Sequence, residues 1–552
     1  MKHQPIMEQD ERAKAAVDRW GELKSERSSS ERDWETIAKL FRPQRGGFGL
    51  SDPASRELVK PLSSAPIIAQ GNFAAGIYAG ITNPATRWGG LTTPDEDLNK
   101  WPPFADWLDR QTRKVHNSFS PSMSSFYPAT YQAYGDLACF GNAAGYDELE
   151  RDTRRFIDVT VSLADVVVDI DYFGRVVEAV RRMRLTARQA AGFFGKDALP
   201  EAIQKQLEKG GTDKQVYYQH VLRNDNFAAG GLGPRGKRWL SRHVCEEKNT
   251  LLRESGYDQM PFYYPRWDVD TGMTYGTGVG YVALASARTN HNMEDATIRA
   301  AQWAADPARL LPDRNVAPLE GTWRPGGAIY GAMRNGQQQV GTLDFVRNIG
   351  LTQEEKRAKV EEVKEAFYYS VMSLTGRTGI SDEENAVIEE ARLRNWAPHA
   401  DRVMEEYAAR KFERRYMMLF KAGQIDPVPE GTPSDAKLQI RYQSAAALAL
   451  RASEATAVRR YMADLAPMME IKPELRHRIS AHDYAEILHE ASPTLPQRLL
   501  VSREQAQQSY EAELQAQQAQ QMAELAKTGG AGARDIAQAV TAGQGGGQEG
   551  GG

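Results

Sequence analysis

Between residues 8 and 41, Ala16, Trp20, Leu23, Trp34, Ile37 and Leu40 recur at intervals that return to one side of a helix, predicting one helix with one buried stripe. Pro43 and the glycines of RGGFG (45–49) end it. A second helix is expected over 64–80, rich in small residues (Ala69, Ala74, Ala75, Ala79), before NPATRWGGL (83–91) turns the chain. Helices over 103–117 and 122–139 lead into FGNAAGY (140–146), where a sheet begins. From 142 to 184 the period changes to two. VVVDIDYFGRVVEAV (166–180) reads as a hairpin turning at Gly174. Thr186 and Gln189 form a capping box that opens the helix TARQAAGFFG. Further strands are expected at 215–223, 239–246 and 261–267, so this part of the chain is α+β.

After Gly280 the pattern is helical. A long helix over 279–304 ends at Asp306-Pro307, and a Pro/Gly-rich stretch fills about 305–345. Thr352 with Glu355 is a second capping box, starting a helix over 353–373. The glycine-bearing break SLTGRTGIS (373–381) follows. Ser381 with Glu384 then caps another helix, which Pro398 kinks. Its second half carries Met404, Ala408, Phe412, Tyr416 and Phe420 at i+4 spacing beside Val403 and Tyr407, and it stops at Gly423 before Pro427 and Pro429. KLQIRY (437–442) reads as a strand. A helix follows through Leu448, Val458, Tyr461, Met462 and Leu465, with shorter helices to about 500. Ser502 with Gln505 caps a Gln/Ala/Glu-rich helix to about 526, and the glycine-rich segment 527–552 is expected to be disordered. There is no internal repeat.

Composition narrows the classes. The 552 residues correspond to roughly three to four domains' worth of chain, and 41% hydrophobic content supports real cores. Lys+Arg minus Asp+Glu is 69 − 73 = −4. Tight wrapping of nucleic acid normally needs a basic excess, so this balance suits a surface that lets DNA pass rather than one that grips it. Cys139 and Cys245 are too few for a disulfide framework, which suits folding in a reducing cytoplasm. The charged start MKHQPIMEQDERAKAAVDRW carries no apolar signal core, and no run approaches the roughly 20 apolar residues of a membrane span. Neither standard export nor a membrane role is expected.

Candidate chemistry is sparse. GLGPRGKR (231–238) fits a phosphate-cradling loop until its last position, where Arg238 replaces the magnesium-holding Ser or Thr, and a strand rather than a helix is expected next. Arg235, Lys237 and Arg238 remain candidates for a basic contact with DNA or a partner; the bland reading is an exposed turn. GTGVG (276–280) has Tyr281 where a dinucleotide fingerprint needs its third glycine. His489-Glu490 opens like a zinc-protease helix, but Pro493 stands where the second His belongs. Asp165, Asp169 and Asp171 share one strand face opposite Val166, Val168 and Ile170. Three carboxylates could hold a hard cation, yet alternation alone explains them as the wet face of a half-buried hairpin. His220 and His243 read as structural. No catalytic triad, metal set or cofactor motif stands out, so no enzyme, metal or cofactor is expected.

Several motifs occur together in one order. They are the Trp34 helix ending at Pro43-x-Arg45, Asn83-Pro84-x-x-Arg87-Trp88-x-x-Leu91, FGNAAGY, and Asp171-x-x-Gly174-x-Val176 followed by Thr186-x-x-Gln189 and Phe194-Gly195. Next come Ser255-Gly256-Tyr257-x-x-x-Pro261-Phe262 with Arg266-Trp267, Tyr275-Gly276-x-Gly278, Pro325-Gly326-Gly327-Ala328 and the Gly423/Pro427 helix stop. Over roughly residues 20–510 this set resembles the portal (head-to-tail connecting) proteins of short-tailed bacteriophages. The segment 226–238 looks like a local insertion, and the glycine-rich tail lies outside the pattern.

The resemblance implies a predominantly helical α+β subunit of a dodecameric ring. A wing would span 1–275, with stem helices at 276–304 and 346–373 and a small clip at 305–345. A tunnel loop and long wing helix would span 374–442, and a helical crown 443–526. It implies a virion protein at the portal vertex, assembled in the host cytoplasm, and a conduit for genome packaging and ejection. Its implied partners are a terminase motor, tail adaptor proteins, the major capsid and scaffolding proteins, and the double-stranded DNA in the channel. Arg377, the one charge of SLTGRTGIS, would then form a collar facing that DNA; the bland reading of the segment is an ordinary solvated hinge. The alternatives are another virion component, internal or from a tail tube, and an enzyme using the aspartate face or the GK loop.

Overall fold

A computed structural model of the chain describes residues 6–50, 52, 61–85, 87–150, 153, 155–305, 309–311, 328–330, 333–338, 349–368, 399–442, 445–472, 480–490, 506–518 and 520. It divides into two compact units, Met1–Leu450 and Arg451–Gly552.

The N-terminal stripe forms two helices rather than one, α1 (Ile6–Glu26) and α2 (Ser28–Phe41), meeting at Arg27. All six stripe residues are buried, but in different places. Trp20 and Leu23 pack with Val167, Val180 and Tyr218, whereas Trp34, Ile37 and Leu40 belong to the main core. One straight helix could not serve both. The fully buried Arg27 pins the joint: its Nε donates to Glu31 at 2.9 Å, its Nη1 donates to the Val166 carbonyl, and its guanidinium lies over the rings of Trp34 (5.5 Å) and Tyr275 (5.7 Å).

Helix α3 (Ala65–Ile81) and strand β1 (Gly89–Thr92) follow, then α4 (Pro102–Ser118) and α5 (Phe126–Phe140). Gly141 ends α5 at φ 70°. A three-stranded antiparallel sheet comprises β2 (Ala144–Leu149) between β3 (Phe156–Val161) and the short segment Phe262–Tyr263. A five-stranded antiparallel meander runs through β4 (Val166–Ile170), β5 (Val176–Thr186), β6 (Lys214–Arg223), β7 (Trp239–Cys245) and β8 (Thr250–Tyr257). The Thr186/Gln189 capping box is formed in full and opens α6 (Ala187–Phe194).

Two expectations need correcting here, and the strand β8 was not expected. The hairpin is buried on both faces, because α1 lies across the side predicted to be wet: Val166, Val167 and Val168 are all buried. Strand β8 has no strong alternation, being half-buried along most of its length. Lys248 and Asn249, at φ 59° and 47°, make the tight reversal that pairs it with β7. The strand expected at 261–267 is only the pair Phe262–Tyr263.

Helix α7 (Leu284–Ala305) lies antiparallel to α8 (Ile349–Ala366). Ser286 Oγ donates to Glu362 at 2.6 Å, and eight residues on Glu294 pairs with Lys356 at 2.5 Å. Helix α8 begins three residues before Thr352, so Thr352 does not cap it, and it ends at Ala366 rather than 373, with Tyr368 at φ 52°. Two small pairings are described between these helices, 309–311 with 328–330 and 333–334 with 337–338. The break 373–381, the Ser381/Glu384 cap and Pro398 lie outside the described residues, as do Ser502, Gln505 and 527–552.

The helix over 399–421 is π-helical at Met404–Ala409 and α-helical at Arg410–Lys421. A π turn takes more residues than an α turn, which keeps Met404 and Ala408 on one buried line. Beyond it the i+4 series drifts around the α-helix: Phe412 is buried, Tyr416 half-buried and Phe420 exposed. Gly423, at φ 68°, ends the helix. Finally β9 (Gln439–Tyr442) pairs antiparallel with β1, Gly89 opposite Tyr442. A methyl on Gly89 would stand 3.0 Å from the Phe412 ring. In the second unit, helical residues run to Ile471, and a further helix covers Ala481–Glu490.

Candidate assembly cleft and buried ion cluster

The β4–β5 hairpin ends in a built tip. The Asp171 carboxylate accepts from the backbone amides of Phe173 (3.0 Å) and Arg175 (2.8 Å) and from Arg175 Nε (2.9 Å). Gly174 supplies the left-handed residue at φ 77°. Tyr172 and Phe173 therefore stand in solvent, 97% and 76% exposed, on a rigid turn. Arg266 ties this tip to the 399–421 helix, its Nη2 donating to the Gly174 carbonyl at 2.7 Å and to Glu406 at 2.5 Å. Between tip and helix lies a cleft of about 860 Å³, where Arg402 and Arg410 face a lining that also holds Glu405 and Asp270.

Beneath it, the same helix docks on the three-stranded sheet through buried charges. Lys411 Nζ and Arg415 Nη2 each donate to Asp158 at 2.7 Å, Arg414 Nε donates to Asp147 at 2.6 Å, and Tyr263 Oη donates to Asp147 at 2.8 Å. Lys411 also lies 4.1 Å from the Tyr263 ring centre and Arg415 3.9 Å from that of Phe156. Burial alone would raise the Asp158 carboxyl; Lys411 and Arg415 more than offset it and hold it below the ordinary range. Burial would likewise lower Arg414, and Asp147 reverses the sign. Sequence reasoning missed this cluster, since KFERR reads as a solvated helix face. The available signal was Asp147 and Asp158 inside apolar strands.

The predicted site residues fall as follows. Arg377 lies outside the described residues. Arg235 is exposed on a 3₁₀ turn. Lys237 is engaged by Asp258 at 2.8 Å, a carboxylate that Lys421 also contacts, and Arg238 lies 5.7 Å from the Phe227 ring centre. The turn is bonded to itself, Ala228 N to the Arg235 carbonyl at 2.9 Å, and runs directly into β7; this is not the strand–loop–helix geometry of a phosphate cradle. Gly278 and Gly280 serve packing: a methyl on either would overlap the backbone of Gly141 or Cys139. The three aspartates do not converge. Asp165 pairs with Arg182 and Arg184, Asp169 with Arg19, and Asp171 with Arg175. Among the described residues no group of His, Cys, Asp and Glu is placed to hold a metal ion. His220 bonds Glu178 at 2.5 Å. Cys139 and Cys245 are free and buried, and burial pushes their thiols up to about 12 and about 11. No described helix is long and apolar enough to cross a membrane.

The comparisons agree with the sequence motifs. The model of the family described as "Bacteriophage head to tail connecting protein" matches residues 13–500, and the chain belongs to that family. It is 26% identical over 501 residues to the "Probable portal protein" of Bordetella phage BPP-1, covering 87% of each chain. It is 24% identical over 544 residues to the "Portal protein" of Salmonella phage epsilon15, covering 94% of each. A solved chain from the virion of a native gene transfer agent particle aligns at TM-score 0.29 and 12% identity, over 73% of this chain and 90% of that one, which does not establish a common fold. The protein is thus a viral portal protein forming the head–tail connection, a structural component of the virion.

Proposed function

We propose that the chain is one subunit of a dodecameric ring at a single capsid vertex, through which double-stranded DNA enters during packaging and leaves at ejection. The family match across residues 13–500 carries this reading. The antiparallel pair α7 and α8 supports its finer part: two long helices bracket residues 306–348, as stem helices would bracket a clip. On this reading the ring is assembled in the host cytoplasm, a terminase docks at the clip, tail adaptors later take the same surface, and capsid and scaffolding proteins contact the wing. The ring is a conduit and performs no catalysis of its own. Arg377 would line the channel as a collar of guanidiniums, and Arg235 and Arg238, both exposed, are the members of the basic turn left to meet a partner. Light scattering on the purified chain tests the ring: the expected mass is close to twelve times 61.5 kDa, and a stable monomer at micromolar concentration contradicts it. Particles carrying Arg377→Ala should retain or package less DNA than wild type; equal yields remove the collar.

A further inference from the structure

One face of the five-stranded sheet carries two apolar clusters separated by a polar rung. On one side, Tyr217 and Cys245 pack under α6 with Ala187 and Ala190; on the other, Val166, Val168, Ala179 and Val221 join the main core. Between them Arg181 pairs with Gln219, Gln219 with His243, and His243 with Arg253, so all four side chains rise from the same face. Ser241 stands beside them, paired with Val221. Gln219 is 1% exposed, His243 3% and Ser241 0%. Gln219 Nε2, His243 Nδ1, Ser241 Oγ and Arg181 Nε are all buried without a hydrogen-bond partner.

Four orphaned groups on one sheet face, three in the rung and Ser241 beside it, are unusual, because buried polar groups are nearly always matched. Two of them are obligate donors, Arg181 and the amide of Gln219; Ser241 Oγ can donate, and so can His243 in its Nδ1–H tautomer. Adjacent strands lie about 4.8 Å apart, so donors on three neighbouring strands can converge on one small group. The field has the matching sign: besides burial, the charges of Arg253 and Arg181 push His243 down to about 3. Two acidic groups act on Arg181, Asp165 and Glu148; Asp165 already pairs with Arg182 and Arg184, and Glu148 accepts from Tyr146 Oη at 2.5 Å. Tyr146 lies over the Arg181 guanidinium, and the Phe193 and Phe194 rings flank His243 at 5.7 and 5.5 Å.

We propose that this rung is a binding site for one free oxyanion of phosphate size, held by Arg181, Gln219, Ser241 and His243 between the two apolar clusters. Roofed by Tyr146 and flanked by Phe193 and Phe194, it is closed to a nucleic-acid backbone, so the ligand is the inorganic ion. The anion would bridge side chains of β5, β6 and β7, whose backbones are already paired.

Thermal unfolding of the full chain at pH 7.5 tests this, with sodium phosphate titrated into a chloride buffer at constant ionic strength. A saturable rise in melting temperature of about 2–4 °C is expected. Gln219→Leu, which keeps the volume and removes the donor, should abolish the rise, as should Arg181→Met. No rise in wild type, or an equal rise in both variants, overturns the site. Should the variants fail to fold, equilibrium dialysis of the wild-type chain against millimolar labelled phosphate decides: one ion per chain supports the site, and none rejects it.

Discussion

Lys411 Nζ stands 2.7 Å from Asp158 Oδ1, although the two are 253 positions apart in the chain, and both side chains are nearly excluded from water. Arg415 completes the set on the second carboxylate oxygen. Removing one partner from such a cluster strands the others. Asp158→Asn, which strands Arg415 and leaves Lys411 only Asp147 at 3.7 Å, should lower stability by about 3–5 kcal/mol in chemical denaturation. The folded-state carboxyl is depressed, so its contribution is present above the ordinary Asp range, near pH 4, and is lost as the pH falls through the lower folded value. The wild type should therefore lose stability in that acid window, and the Asn variant should lose less.

A separate loss should begin near neutrality. His116 is buried among Trp88, Phe119 and Phe412, with Nε2 2.6 Å from the Gly89 carbonyl, and burial pushes it down to about 4. The unfolded chain protonates this residue near pH 6.5 and the folded chain does not, so stability is full above that value and falls as the pH drops from 6.5 towards 4. The window is worth about 3 kcal/mol. His116→Gln should make the fall over that range shallower, whatever its effect at pH 8, leaving the part due to His243, which is held down to about 3.

Gly278 faces the amide nitrogen of Gly141 closely enough that an added methyl overlaps it. Neither backbone can retreat: Asn142 Nδ2 donates to the Gly276 carbonyl at 2.6 Å, and Trp267 N donates to the Gly141 carbonyl at 2.9 Å. Gly278→Ala should cost about 3 kcal/mol or more, seen as a lower melting temperature or insoluble expression.

Arg27→Lys keeps the charge at the α1–α2 joint but cannot donate to Glu31 and Val166 while lying flat on Trp34 and Tyr275. A loss of about 2–3 kcal/mol is expected, with faster amide exchange in residues 20–30.

These residues also show what a sequence reader can see. The Thr186/Gln189 capping box, the Gly174 hairpin turn and the Gly423 stop are local chemistry within a few residues, and all stand where the pattern placed them. The α1–α2 break was hidden because Arg27 looks like any solvent-facing arginine until Val166 arrives from 139 positions away. The aspartates of 165–171 looked exposed for the same reason: their arginine partners come from α1, β5 and the turn itself. Lys411, Arg414 and Arg415 were illegible because hydropathy cannot distinguish a cation bound for water from one bound for a buried carboxylate.

The separation of Asp158 from Lys411 also bears on synthesis. At roughly 5–20 residues per second, the ribosome needs about 13–50 s after making Asp158 before Lys411 exists. β9, which completes the ribbon with β1, arrives later still. During that interval the nascent chain carries a half-built core, with Trp88, His116 and Phe119 lacking Phe412 and two carboxylates lacking their cations. The N-terminal residues can therefore collapse early but reach their final packing only near the end of translation. Aggregation between neighbouring nascent chains is the hazard this order creates, and slowing the ribosome between residues 160 and 410 should lengthen it.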